Sequence, residues 1–222
     1  MQHRLETALT SALLLCAIGV SVSYAYNTFF RGSGGADLAV SSVPFEDWDE
    51  ALNAGHTVSG DSSATTTIVL FADFQCPACR GYHERVVKPA ISRHGSSLRV
   101  FYVPFPLDYH EHALPAARAT ECVARAAKLD RWLDRLYAQQ DSLGRKPWSQ
   151  FAHDAGVVDT AAITSCLNAS AEFPRIAEGL RLARKNGLQG TPSLVMNGRL
   201  YRDLPTAALL DSVIERHAQR SR

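Results

Sequence analysis

The chain lacks what would mark a nucleic-acid binder, a phosphate-transfer enzyme or a zinc module. Neither sign of charge dominates: 23 Lys and Arg face 22 Asp and Glu across 222 residues, a formal net charge of +1. Setting aside Arg4, Glu6 and Arg31, which lie at or before the first linker, leaves 21 of each sign. A balanced chain with no basic block argues against nucleic acid as a partner. There is no G-x-S-x-G and no Walker pattern, and no strand precedes Gly32 to Gly35, so that stretch is no phosphate loop. Only one C-x-x-C occurs, and no closely spaced histidine pair follows it at finger spacing. A structural zinc site needs four ligands, so no metal site is expected. No internal repeat is visible. The length suits one domain with a sizeable core plus something extra.

The N-terminus is where long apolar character does occur. His3 and Arg4 precede an uncharged stretch from Thr7 to Phe30, closed by Arg31. Its 24 residues suffice to span a bilayer, which needs roughly 20. Within it, Ala12 to Val22 resembles a signal-peptide core, and Ser23-Tyr24-Ala25 offers a small-x-small cleavage pattern. We read residues 1–31 as an uncleaved anchor in preference to a cleaved signal. Either reading places the remainder outside the cytoplasm, in the periplasm or on the cell-surface side. Leu13-Leu14-Leu15 lacks the small residue that lipoprotein processing at Cys16 requires, so Cys16 is inert. Residues 32–44 are small and polar and read as a flexible linker.

Phe45 to Leu52 has the spacing of one short helix, and His56 to Thr67 reads as a strand, a turn and the approach to another strand. Thr67 to Phe74 is β-branched, aromatic and nearly continuously apolar, the pattern of a central strand buried on both faces. It runs straight into Cys76-Pro77-Ala78-Cys79. A helix should begin there, with Pro77 in its first turn, Tyr82, Val86, Val87 and Ile91 on its apolar face, and Gly95 as its stop. Leu98 to Val103 reads as a second strand. From about His110 to Asn186 the chain reads as helical, with breaks near Gly144 to Pro147, Asp159 and Pro174. Ser193 to Met196 and Arg199 to Arg202 form a hairpin across Asn197-Gly198, and Pro205 to His217 is a closing helix. This order predicts an α/β thioredoxin fold over residues 45–222, with a helical insertion at about 110–186 between the second and third core strands.

Two residues between Cys76 and Cys79, at a helix start, let the sulfurs bond. The first thiol then lies over unpaired N–H groups at the positive end of the helix, which stabilise its thiolate below the free pKa of about 8.5. The thiolate is the attacking form, and a low pKa also makes it a good leaving group. Gly190-Thr191-Pro192 is the second signal. Only about 5–6% of X–Pro bonds in folded proteins are cis. Here, however, the proline opens a strand where this fold brings a loop against the redox pair. Ala119, Cys122, Val123 and Ala126 form one helical face, and Ile163, Cys166 and Leu167 suggest another. These cysteines are either small buried hydrophobes or bonding partners on separate helices. His83, seven residues after Cys76, shares its helix face and reads as a satisfied or exposed histidine. His110 and His112 read as a solvated helix start. Asp130, Arg131, Asp134 and Arg135 read as a solvated face.

Phe71-Ala72-Asp73-Phe74-Gln75-Cys76-Pro77-Ala78-Cys79-Arg80, followed by Gly190-Thr191-Pro192-Ser193-Leu194-Val195-Met196-Asn197-Gly198, resembles the DsbA-like thioredoxin-fold thiol–disulfide oxidoreductases. The likeness runs from about Phe45 to the C-terminus. It implies Cys76 as nucleophile, Cys79 as resolving thiol, Pro192 as a cis proline and the Thr191 backbone as a docking edge for substrate. It also implies a Cys122–Cys166 structural bond, as in some relatives, worth about 4 kcal/mol for a loop of this length. Two departures matter. Many members bury an acid six positions before the first cysteine, where this chain has Leu70; the nearest acid is Asp73. Strongly oxidising members often carry His where this chain has Ala78. The implied activity is disulfide exchange with exported thiol- or disulfide-containing proteins, most simply as a dithiol oxidase reoxidised by a membrane redox partner and needing no cofactor. The alternatives are a reductase or isomerase, or a redox-silent peptide-binding or chaperone module.

Overall fold

Strands β3 (Thr66–Ala72) and β4 (Leu98–Pro104) form the centre of the molecule, paired in parallel from Thr66 opposite Leu98 to Ala72 opposite Pro104. The structure, a computed structural model, describes residues 41–125, 129–169 and 172–220. The expected membrane segment, Cys16 and the tether as far as residue 40 lie outside the described residues, as does Ala126. Among the described residues, no helix is long and apolar enough to cross a membrane.

A parallel pair needs a crossover. It is supplied by α2 (Pro77–Tyr82), a π turn (His83–Val87) and α3 (Lys88–His94), which ends at Gly95 with φ +47°. Strand β2 (His56–Ser59) flanks β4 on one side. On the other, β5 (Ser193–Met196) pairs antiparallel with β3 and continues through the Asn197–Gly198 turn into β6 (Arg199–Tyr201). Ser42–Pro44, which the sequence assigns to the tether, is an outer strand, β1, with Ser42 opposite Tyr201. Arg199 fastens it by donating to Ser42 Oγ and to the Ser42 carbonyl, both at 2.9 Å. The sheet order is β1-β6-β5-β3-β4-β2.

Side chains alternate along β3, yet both faces are covered, as its unbroken apolar run predicts. Ile68, Leu70 and Ala72 face a core shared with Val87, Ala90, Leu210 and Ile214. Val69 and Phe71 face a second core with Phe45, Ala51, Leu182 and Ala183. The first core is roofed by α2, α3 and the C-terminal α9 (Ala207–Arg220). The second is roofed by α1 (Trp48–Ala54) and α8 (Pro174–Lys185). Helix α1 starts later than its spacing suggests, because Phe45 is buried in this core and its N–H bonds the Gly198 carbonyl at 2.9 Å.

The insertion lies between β4 and β5, as expected. It comprises α4 (Ala113–Ala124), α5 (Leu129–Ala138), α6 (Trp148–Asp154), α7 (Thr160–Asn168) and then α8. Its breaks fall where local chemistry puts them. The Asp159 carboxylate caps α7 at the Ala162 N–H, 2.9 Å away, and Pro174 opens α8. Helix α5 buries Trp132, Leu133, Leu136 and Tyr137 completely. Cys122 and Cys166 are bonded, S–S 2.00 Å, joining α4 to α7. Helix α8 comes so close to the sheet that a Cβ on Gly179 would lie 2.1 Å from the Pro104 carbonyl oxygen.

Candidate active site

Strand β3 ends where Asp73 turns the chain. This carboxylate is buried and accepts from the Gln75 N–H at 2.7 Å and the Leu107 N–H at 2.9 Å. His110 Nδ1 lies 2.7 Å from Oδ2, the oxygen that also accepts from Leu107, and the Cys76 N–H donates to the Asp73 carbonyl at 3.2 Å. From the insertion, the buried Gln140 amide donates to the Phe74 carbonyl at 2.9 Å and the Cys76 carbonyl at 3.0 Å. The turn is thus held from two sides. It delivers Cys76 as the cap of α2, with φ −68° and ψ 121°, and Pro77 in the first turn, where no N–H is missed.

Both sulfurs are unbonded. Cys76 is 6% exposed and Cys79, one turn deeper, 2%. Across from them, the Thr191–Pro192 peptide is cis, and the Thr191 carbonyl oxygen lies 3.3 Å from Cys76 Sγ. The pairing of Phe71 with Ser193 holds this loop level with the end of β3. Beside it runs a groove lined by Val43, Gln189, Thr191, Leu200, Tyr201 and Arg202.

The two thiols are driven apart in acidity. Hydrogen bonding from the Cys79 thiol, opposed by burial and helped by Thr191 and the N–H groups of Cys79 and Ala78, lowers the Cys76 pKa from 9.0 to about 5. Burial, with the hydrogen bond to Cys76 and its charge adding to it, pushes the Cys79 thiol well above 9.0. Cys76 is therefore the thiolate and Cys79 its proton-bearing neighbour. A stabilised thiolate beside a more deeply buried thiol can open a foreign disulfide or leave from its own.

A family model described as thioredoxin matches residues 52–216. The chain belongs to this thioredoxin family. In fold it is similar to a thioredoxin-like oxidoreductase from Silicibacter pomeroyi, with 23% identity, a TM-score of 0.62, and coverage of 77% of this chain and 97% of that one. It is also similar to DsbA from Mycobacterium tuberculosis, with 21% identity, a TM-score of 0.57 and coverage of 74% and 92%. Among curated sequences it is 30% identical over 159 residues to the Na(+)/H(+) antiporter NhaA of Herminiimonas arsenicoxydans, covering 71% of this chain. The chain spans about a quarter of the length of that relative. The fold is that of DsbA-like thiol–disulfide oxidoreductases, as the motifs suggest.

As a thioredoxin-family chain, it brings Cys76, Cys79 and the Thr191–Pro192 loop together and keeps the Cys122–Cys166 bond as a separate pair within the insertion. Several expectations need correction. His110 does not belong to a solvated helix start; it is bonded to Asp73, and the exposed Tyr109 ring meets it edge-on at 4.6 Å. His112 donates its backbone N–H to the Gln75 side-chain oxygen at 2.5 Å. Asp134 stays at the edge of the solvated face but also meets His83 Nε2 at 2.8 Å and Lys88 at 2.7 Å. His83, by contrast, is the satisfied histidine the sequence suggests, buried with Nδ1 2.7 Å from the Tyr102 hydroxyl. Gln140 was not singled out, and no local pattern marks it, since its partners lie 64 and 66 residues away.

Proposed function

We propose that this protein is an extracytoplasmic dithiol oxidase acting on exported proteins. The observation that carries this reading is the placement of Cys76 as the cap of α2, its sulfur 3.3 Å from the Thr191 carbonyl of the cis loop and Cys79 one turn deeper, a setting that lowers the Cys76 pKa to about 5. Stabilising that thiolate favours the reduced form of the couple and so favours oxidation of a substrate dithiol. A substrate thiolate attacks Cys76 Sγ and forms a mixed disulfide, and the Cys76–Cys79 bond breaks with Cys79 as the leaving group. A second substrate thiolate then attacks the substrate sulfur, and Cys76 departs as the thiolate. The products are a substrate disulfide and the reduced enzyme.

The Thr191 backbone, whose carbonyl faces Cys76 Sγ, and the neighbouring groove suit an extended peptide laid against the cis loop. Ala78, exposed in the first turn, contributes no charge, so the thiolate rests on Cys79 and backbone donors instead. The uncharged N-terminal stretch supports an extracytoplasmic location, and the membrane antiporters among the sequence relatives fit a protein that works at a membrane, with a membrane partner reoxidising it. Equilibration of the Cys76/Cys79 couple with glutathione tests the reading. An oxidase should have a potential near or above about −180 mV, whereas a value below about −250 mV would show a reductase.

A further inference from the structure

The groove beside the cis loop has a cavity volume of about 630 Å³. It reaches the redox pair at one end, because Thr191 and Pro192 line it and the Thr191 carbonyl faces Cys76 Sγ. Val43, Leu188, Pro192 and Leu200 make much of its wall apolar, and among the described residues Arg202 is the only charged one that lines it. The fold puts Arg202 there. Leu194 lies opposite Tyr201 in the β5–β6 pair, so one further step of the antiparallel register sets Arg202 beside Ser193, next to Pro192. The Arg202 N–H donates to the Ser41 carbonyl at 2.9 Å, so the pairing of β6 with β1 runs on through this residue. Side chains alternate along a strand, which places Arg202 on the face of Leu200 and of its partner Val43, both in the groove wall.

Arg202 is exposed, and no described residue engages its guanidinium by a hydrogen bond or an ion pair. The neighbouring cations are committed. Lys185, at the end of α8, is bonded to Asp47, whose other oxygen accepts from Asn186 at 2.8 Å, and Arg199, at the far end of β6, donates to Ser42. Asp203 follows Arg202 but does not line the groove. The groove thus offers a largely apolar wall and one positive charge with nothing bound to it.

We propose that Arg202 selects the substrate segment: an extended stretch carrying Asp or Glu about two to four residues from the cysteine that attacks Cys76. The proposal rests on the oxidoreductase reading and adds to it the class of segment on which the protein acts. An extended peptide advances about 3.3 Å per residue, which brings side chains at that spacing level with Arg202 while the Thr191 backbone holds the chain. A carboxylate there meets a guanidinium with free donors, and an ammonium is repelled. The guanidinium stays in water, so the preference is modest and salt screens it.

Reduction of the oxidised full chain by an excess of single-cysteine peptides tests this. The peptides differ only in carrying Asp or Lys two, three or four residues to either side of the cysteine. Each rate is divided by that of the same peptide with a small neutral disulfide, which removes the effect of the added charge on the peptide's own thiol. At one or more positions the wild-type protein should prefer Asp over Lys by about 3–10-fold at low salt, as expected for one exposed pair made and one like-charge contact avoided. Arg202→Gln should bring that ratio toward one, and Arg202→Glu should reverse it. A wild-type ratio near one at every position overturns the proposal, as does a preference that both variants keep. If the variants do not fold, the wild type decides: a preference that shrinks as salt is added supports the proposal, and one indifferent to salt overturns it. Peptides that leave the Cys76–Cys79 bond intact whatever their sequence overturn the oxidoreductase reading itself, which separates the two failures.

Discussion

Cys76 and Cys79 stand unbonded at the start of a helix, whereas Cys122 and Cys166 are bonded across two helices of the insertion. The first pair has N–H donors and a partner thiol on the more exposed sulfur, so in the proposed exchange attack and departure both pass through Cys76. The second pair has the opposite layout. Cys166 is half-buried with Arg125 3.9 Å away, while Cys122 is 2% exposed within α4. An incoming thiolate can reach Cys166, but it would have to expel Cys122 as a buried thiolate, which burial opposes. On the proposed reading the same residue type is reactive in one setting and inert in the other, and the setting is made by neighbours rather than by spacing alone.

Disrupting each pair in turn tests this contrast. Cys76→Ser should cut disulfide exchange by about 10³-fold or more, the scale seen when a nucleophile is lost, in an assay that follows oxidation of a dithiol peptide. Replacing both Cys122 and Cys166 by Ala should leave that activity and the Cys76 titration in place. Denaturant unfolding of this variant should show a loss of about 4 kcal/mol, as expected for a loop closed over 44 residues. Loss of exchange in the second variant at unchanged fold would erase the division of labour.

Gln140 links the two regions, because it reaches from the insertion to the Phe74 and Cys76 carbonyls. Gln140→Ala should cost about 1–3 kcal/mol by leaving buried carbonyls unpaired, and should raise the Cys76 pKa as the turn loosens. A stability loss without any change in the thiol titration would confine Gln140 to packing. A further effect follows from pH. Because the Cys76 pKa is depressed on folding, its thiolate stabilises the reduced protein fully above the unfolded value of about 9, and this gain is lost as pH falls toward 5. The melting temperature of the reduced form relative to the oxidised form should therefore rise from pH 5 to 9, and a flat difference would contradict the depressed pKa.

Much of this was legible in the chain. The apolar run of β3, the helix start at Pro77 and the Asn197-Gly198 hairpin are local signals, and each element formed where its residues indicate. The less legible features depend on distant partners. Ser42–Pro44 is a strand only because β6 lies beside it, 155 or more residues along the chain. Asp73 looks like an ordinary turn residue until His110 and the Leu107 N–H close on it. The meeting of Tyr102 with His83 depends on the parallel register that sets Tyr102 opposite Leu70, which no single-strand pattern reveals.

The central claim is that the fold makes Cys76 a thiolate at neutral pH while Cys79 keeps its proton. Thiolate absorbance of the reduced protein, titrated from pH 3 to 10 with Cys79→Ala and Cys76→Ser as references, tests it most directly. The wild-type protein should show one transition near pH 5 that vanishes in Cys76→Ser and moves upward in Cys79→Ala, because the Cys79 thiol is the largest source of the shift. A single wild-type transition near the ordinary thiol value of about 8.5, unaltered in Cys79→Ala, would contradict it.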